Sequence, residues 1–189
     1  AACGTAYFAG MIAKYWFQRL AHLDVQVEFA SEFRYRDAPL DPDALMMVIS
    51  QSGETADTLA SLRYTKSFGQ PVLSVVNVPT SSIARESAIV CPTFAGPEIA
   101  VASTKAFTCQ LVVLLCLAAQ AGRARGTLSE SDERAIVAAL RDVPSLMTKA
   151  SAGAFRIAEL AREVAKAKDV LYVGRGTAYP LAMEAALKL

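Results

Sequence analysis

A chain of 189 residues with 53% hydrophobic residues and a mean hydropathy of +0.31 can bury a full core and is too apolar to be disordered. Its net charge of +1, with Lys14, Arg19, Arg34 and Arg36 interleaved with acids, argues against nucleic-acid or acidic-membrane partners. Cys3, Cys91, Cys109 and Cys116 lack C-x-x-C spacing and His22 is the single histidine, which argues against a zinc site and for reduced thiols in a cytoplasmic protein.

In chain order, Phe8, Met11, Ile12, Tyr15 and Trp16 repeat with helical period and predict a helix from about Tyr7 to Leu20. VQVEF (25–29) predicts a short strand. ASEFRYRDAPLDPD is polar and broken by Pro39 and Pro42. ALMMVIS (44–50) and PVLSVVNV (71–78) are continuous apolar runs, which predict strands buried on both faces. Between them QSGETADTLASLRYTKSFG reads as a turn and a helix stopped at Gly69. PTSSIARES gives a short helix and AIVCPTF a further strand.

STKAFTCQLVVLLCLAAQAG predicts a long helix ended by Gly122. Its apolar part, 107–122, falls short of the roughly 20 residues of a bilayer span and is interrupted by Gln110, so it reads as a core or interface helix. Cys109 and Cys116, seven apart, are expected on its buried face. SESDERAIVAALRDV is amphipathic, with Ser129 or Ser131 as N-cap and acids in the first turn. Pro144 is expected to end it. A second amphipathic helix covers about 154–167, DVLYVG (169–174) predicts another buried strand, and GRGTAYP opens a last helix.

Strands alternating with helices predict an α/β fold, a doubly wound parallel sheet flanked by helices. The expected organisation is a first domain over 1–125, a helical connector over 126–167 and the start of a second domain over 168–189. GTAY occurs at 4–7 and again at 176–179, each time before a helix, which suggests a tandem repeat. Both chain ends read as cuts through a longer protein.

Ser50 to Thr55, SQSGET, follows a buried strand and opens a helix, where free N–H groups and the positive dipole end favour anions. Ser50, Ser52 and Thr55 add hydroxyls, Gln51 an amide, and Gly53 allows close approach of a ligand. This is an uncharged cradle for a phosphate group, without the spacing of a nucleotide P-loop. Plain helix capping needs only one such residue. Thr5 sits at a similar turn, and Ser103 and Thr104 form a third hydroxyl cluster before a helix. Lys105 reads as solvated. Glu184 and Lys188, spaced i, i+4, read as a surface ion pair on residue grounds alone. The aromatic–arginine alternation of EFRYR (32–36) suits an interface.

CGTAY, ASEFRYR, SQSGETADT, NVP-x-SS-x-x-RES, EI-x-VASTKAFT and GRG-x-x-YP-x-A-x-E-x-ALKL occur in this order. Together they resemble the isomerase part of the glucosamine-6-phosphate synthases, the glutamine–fructose-6-phosphate aminotransferases, over essentially the whole chain. The resemblance implies two sugar isomerase (SIS) domains in tandem, forming a homodimer. They convert fructose-6-phosphate and ammonia to glucosamine-6-phosphate for amino-sugar and cell-wall precursors, with no cofactor and no metal. It also implies a separate glutaminase domain, outside these residues, as the source of ammonia. By motif, Ser50, Gln51, Ser52 and Thr55 would hold the sugar phosphate. Thr5, Val101 through its backbone, and Ser103 would contact the sugar, and Glu184 and Lys188 would line the reaction centre.

Some positions depart from the family. Ala6 stands where serine is frequent, and His22 is not in the context of the family's ring-opening histidine. That histidine and the main catalytic glutamate would fall beyond Leu189. The 189 residues alone are therefore expected to bind sugar phosphate weakly and not to turn over. A tandem-SIS isomerase or deaminase without a glutaminase, and a non-catalytic sugar-phosphate sensor, stay open as alternatives.

Overall fold

A computed structural model describes residues 1–99 and 103–189. At its centre β1 (Met46–Ser50), β2 (Val72–Val76) and β3 (Ile89–Pro92) pair in parallel in that order. Ile49 stands opposite Val75, and Val75 opposite Cys91. Parallel neighbours need a crossover connection. These are α3 (Ala56–Ser67) between β1 and β2, and α4 (Ser82–Glu86) between β2 and β3.

The hydrogen-bonded surface continues past β1. The Ile49 amide donates to the Ala1 carbonyl at 3.2 Å, and the Ala30 amide to the Ala2 carbonyl at 2.9 Å. The strand expected over Val25–Phe29 shrinks to one parallel bridge, Ala2 with Phe29, because the segment beside it pairs through Ala2 alone. The resulting lateral order is Phe29, Ala1–Ala2, β1, β2, β3.

Helices cover both faces, as continuous apolar strands require. On one face α1 (Gly4–Ala21) and α5 (Lys105–Ala124) pack Ala9, Ala13, Phe17, Leu114 and Ala118 over Ile49, Leu73 and Val75. On the other, Leu62 of α3 and Ile83 and Ala84 of α4 pack over Val48, Val72 and Val76. The α/β, doubly covered parallel architecture is therefore as expected.

Two expectations about α5 are corrected. The helix does not stop at Gly122; it runs to Ala124, and Gly126, at φ +70°, turns the chain. Gly122 instead lets α5 approach α1, since a Cβ there would collide with the Leu20 carbonyl. The buried face carries Ala106, Gln110, Leu114 and Ala118, while Cys109 is half-buried and Cys116 exposed. Seven residues do bring the two cysteines near one face, but it is not the one turned to the core. By length and composition alone α5 could cross a membrane, yet here one face is buried in the α1–sheet core.

α6 (Glu130–Ser151) starts at Ser129, whose hydroxyl accepts from the Asp132 amide at 3.1 Å. It continues through Pro144 instead of ending there. The proline sits on an exposed helix, where water can satisfy the carbonyl that loses its partner. α7 (Ala154–Val164) follows. Neither helix has a buried residue, and Leu146, Met147, Phe155, Ile157 and Leu160 are exposed.

The strand expected over 169–174 is also not formed, and Leu171 and Val173 are exposed. A strand needs a hydrogen-bonded neighbour, and among the described residues none lies beside this segment. The chain then returns to the first layer as α8 (Ala178–Lys188), which packs on α1 and buries Pro180 and Glu184.

Candidate functional site

The parallel crossovers place the start of α3 at the carboxyl end of β1. In open α/β sheets ligands bind at this edge. A cavity of about 220 Å³ opens there. Cys3, Thr5 and Ala6 line it from the start of α1, Ser50, Gln51, Ser52 and Thr55 from the β1–α3 turn, and Ser103 and Gln110 from the α5 region. Its size is below the roughly 300–1,000 Å³ of pockets for drug-sized ligands and suits a small polar molecule.

All four predicted cradle residues face this cavity. The Ser50 and Thr55 hydroxyls lie 2.9 Å apart, and Ser50 Oγ accepts from the Gly53 amide at 3.0 Å. Ser52 Oγ accepts from the Glu54 amide at 3.1 Å. Thr55 is the residue before α3, but its side chain makes no cap bond to the helix. The capping explanation for this hydroxyl cluster therefore fails for α3, whose first-turn amides have no side-chain cap.

Gly53 has a different role from the one expected. Its φ of +66° needs glycine, and a Cβ would collide with Ser81 Oγ rather than obstruct the cavity. Glu54 points the same way. Its Oε1 accepts from the Ser82 amide at 2.7 Å, and that bond holds its carboxyl below the usual range. The one acid of the turn is thus directed to α4.

Glu184 and Lys188 project from one face of α8 toward Thr5. Lys188 Nζ lies 2.9 Å from Glu184 Oε1 and donates to Thr5 Oγ1 at 2.8 Å. Thr5 in turn donates to Glu184 Oε1 at 3.1 Å. This is not the surface ion pair suggested by spacing alone, because the Glu184 side chain is 7% exposed. Its Oε2 is buried without a partner among the described residues. Packing of α8 on α1, which no local pattern encodes, makes the difference.

Ser103 reaches the cavity, and its hydroxyl lies 3.5 Å from Glu98 Oε2. The same oxygen accepts from the Ala106 amide at 3.0 Å and the Thr104 amide at 3.3 Å. Chiefly the Ala106 bond holds the Glu98 carboxyl below its usual range. Glu98, which the sequence reading passed over, therefore caps α5. Thr104 itself gives no side-chain cap. Val101 lies outside the described residues. Gln110 was also passed over as a polar interruption, although its spacing from Ala106, Leu114 and Ala118 put it on their face. In EFRYR, Arg34 pairs with Asp57 at 2.7 Å and Arg36 with Glu28 at 2.7 Å, leaving Tyr35 exposed.

A family model described as the SIS domain matches residues 1–120. The chain belongs to the SIS domain family. Over 188 residues it is 63% identical to a glutamine–fructose-6-phosphate aminotransferase [isomerizing] of Bradyrhizobium diazoefficiens. Over 189 residues it is 59% identical to the protein of that name in Rhizobium meliloti. Each alignment covers 100% of this chain and 31% of the relative, so the chain spans under a third of their length. The solved C-terminal domain of glucosamine-fructose-6-phosphate aminotransferase from Francisella tularensis matches with a TM-score of 0.95 and 42% identity. That match covers 99% of this chain and 53% of the solved one. The SIS match contains every cradle residue and Thr5, whereas Glu184 and Lys188 come from α8, beyond it.

Proposed function

We propose that this SIS domain binds the phosphate of fructose-6-phosphate, and of its product glucosamine-6-phosphate, as the isomerase part of a glutamine–fructose-6-phosphate aminotransferase. The relatives' names support the substrate. The observation that carries the reading is the joining of two chemistries at one cavity through Thr5. Neutral donors at the start of α3 suit a phosphate, and a carboxylate with an ammonium suits proton transfer at the far end of the sugar.

In this reading ammonia adds to the open-chain ketone at C2 and water leaves, giving an imine. A proton then leaves C1 and another arrives at C2, while the C1 hydroxyl gives up its proton and the nitrogen gains one, which yields the amino aldehyde. Lys188 offers a proton donor and a positive charge beside the developing enolamine, and Glu184 holds that ammonium in place. Ammonia comes from a glutaminase domain outside these residues. Residues 168–189 open a second SIS domain, an assignment supported by the shared GTAY turn. A homodimer through EFRYR and the outer face of α5 is supported by the exposure of Tyr35 and Cys116.

The test is calorimetry of fructose-6-phosphate binding to the wild type and to the Ser52→Ala, Thr55→Ala double variant. Each lost hydrogen bond to a charged phosphate is worth about 1.5–3 kcal/mol, so affinity should fall at least about tenfold. Unchanged affinity would refute the cradle.

A further inference from the structure

Asn77 follows β2 at the carboxyl edge of the sheet and does not line the cavity. Its backbone amide donates to the Gln51 carbonyl in the cradle turn at 3.2 Å. Its side chain is committed to the loop after β3. Nδ2 donates to the Gly96 carbonyl at 2.7 Å, and Oδ1 accepts from the Ala95 amide at 2.8 Å and the Thr93 hydroxyl at 3.1 Å. Phe94, between those two donors, is 82% exposed and left-handed at φ +51°, and Gly96 is left-handed at φ +71°. A bulky residue keeps such a backbone only where its surroundings impose it. Packing does not impose it on an exposed ring, and the Asn77 amide bonds the residues on both sides of it.

Two residues past Gly96, Glu98 holds the start of α5. Its Oε2 accepts from the Ala106 and Thr104 amides and lies 3.5 Å from the hydroxyl of Ser103, which borders the cavity. Asn77 thus joins the cradle, through Gln51, to the loop that carries the anchor of Ser103. Groups that bind one ligand together must be held to within roughly 0.5 Å of the productive geometry. We propose that Asn77 is a positioning residue, which fixes Ser103 relative to the cradle and so sets the affinity for the sugar without changing the grip on the phosphate. The proposal rests on the sugar-phosphate reading of the cavity, in which Ser103 meets the sugar and Ser50 to Thr55 the phosphate.

Asn77→Ala removes the three side-chain bonds and keeps the backbone amide that holds Gln51. The experiment titrates the full chain with inorganic phosphate and with fructose-6-phosphate, in the wild type, Asn77→Ala, Ser103→Ala and the double variant. Asn77→Ala should lose three- to tenfold in fructose-6-phosphate affinity, roughly one neutral hydrogen bond, with phosphate affinity unchanged. In the Ser103→Ala background the same substitution should cost less than about twofold, because the group it positions is already gone. Equal fructose-6-phosphate affinity, an equal loss for both probes, or full additivity in the double variant would overturn the proposal. Thr93→Val keeps the shape of threonine and removes one of the three bonds. It should show the same selectivity change at about two- to threefold, and it decides alone if Asn77→Ala does not fold. Without ligand, hydrogen exchange of the Ala106 amide, which Glu98 holds, should quicken in Asn77→Ala while β1 and β2 stay protected. Unchanged exchange there overturns the positioning alone, whereas a wild type that binds neither probe refutes the sugar-phosphate reading and this proposal with it.

Discussion

Thr5→Val isolates the link between the first helix and the last. Valine keeps the shape of threonine but removes the hydroxyl that donates to Glu184 Oε1 and accepts from Lys188 Nζ, 179 and 183 residues away in sequence. A hydrogen bond to a charged group contributes about 1.5–3 kcal/mol. Two such bonds do not add fully here, because Glu184 and Lys188 keep their own 2.9 Å contact and the Lys188 side chain is 26% exposed. A cost of about 2 kcal/mol results, roughly thirtyfold in the equilibrium between docked and undocked α8. Amide hydrogen exchange reads this directly: protection over Ala178–Lys188 should fall about thirtyfold, with β1 and β2 little changed. Thr5→Ser, which retains the hydroxyl, should stay within a few-fold of the wild type. If α8 in Thr5→Val exchanges at the wild-type rate, the three-way contact does not hold α8 and the reasoning fails.

Gly122→Ala should lower stability by about 1–3 kcal/mol, since its Cβ meets the Leu20 carbonyl and Leu128, and backbone cannot give way as a flexible side chain can. A melting temperature equal to that of the wild type would contradict this packing. Glu98→Gln tests the α5 cap through pH. The folded carboxyl lies below its usual range because the Ala106 amide bonds to the ionised form. The stability from this group is therefore complete above its unfolded pKa, roughly 4.3, and is lost as the pH falls through the folded value. Urea midpoints across that acid range should change less steeply with pH in Glu98→Gln, and an identical acid limb would reject the assignment.

The continuous apolar runs over β1 and β2 made a covered parallel sheet legible in the sequence, because only buried strands need no polar face. That Ser50, Gln51, Ser52 and Thr55 gather at one cavity follows a pattern visible in the sequence, four polar side chains between a strand and a helix where a cap needs one. What escaped was set by distant packing. Glu184 and Lys188 have the spacing of an ordinary surface pair, and only the docking of α8 on α1 buries the acid. Gly122 carries the letter of a helix stop, but the nearby Leu20 backbone gives that glycine its reason. The strand pattern of 169–174 predicted a conformation that needs a neighbour, and the sequence of one segment cannot say whether a neighbour is there.

The helix starts around the sheet are satisfied in different ways. α4 is capped by the Ser81 side chain and by Glu54, and α5 by Glu98. Three starts contribute residues to the cavity: those of α1 and α3 receive no side-chain cap among the described residues, and that of α5, preceded by Ser103, is capped by Glu98. Unpaired first-turn amides are a cost to an unliganded helix and a ready anion site once a ligand arrives. Glu54 and Glu98, the carboxylates closest in sequence to the cradle and to Ser103, are engaged at the starts of α4 and α5. Their carboxylates are thereby fixed on backbone N–H groups. The sequence S-Q-S-G-E-T thus separates its tasks by residue. Serine and threonine hydroxyls line the cavity, glycine makes room for Ser81, and the acid is turned to α4.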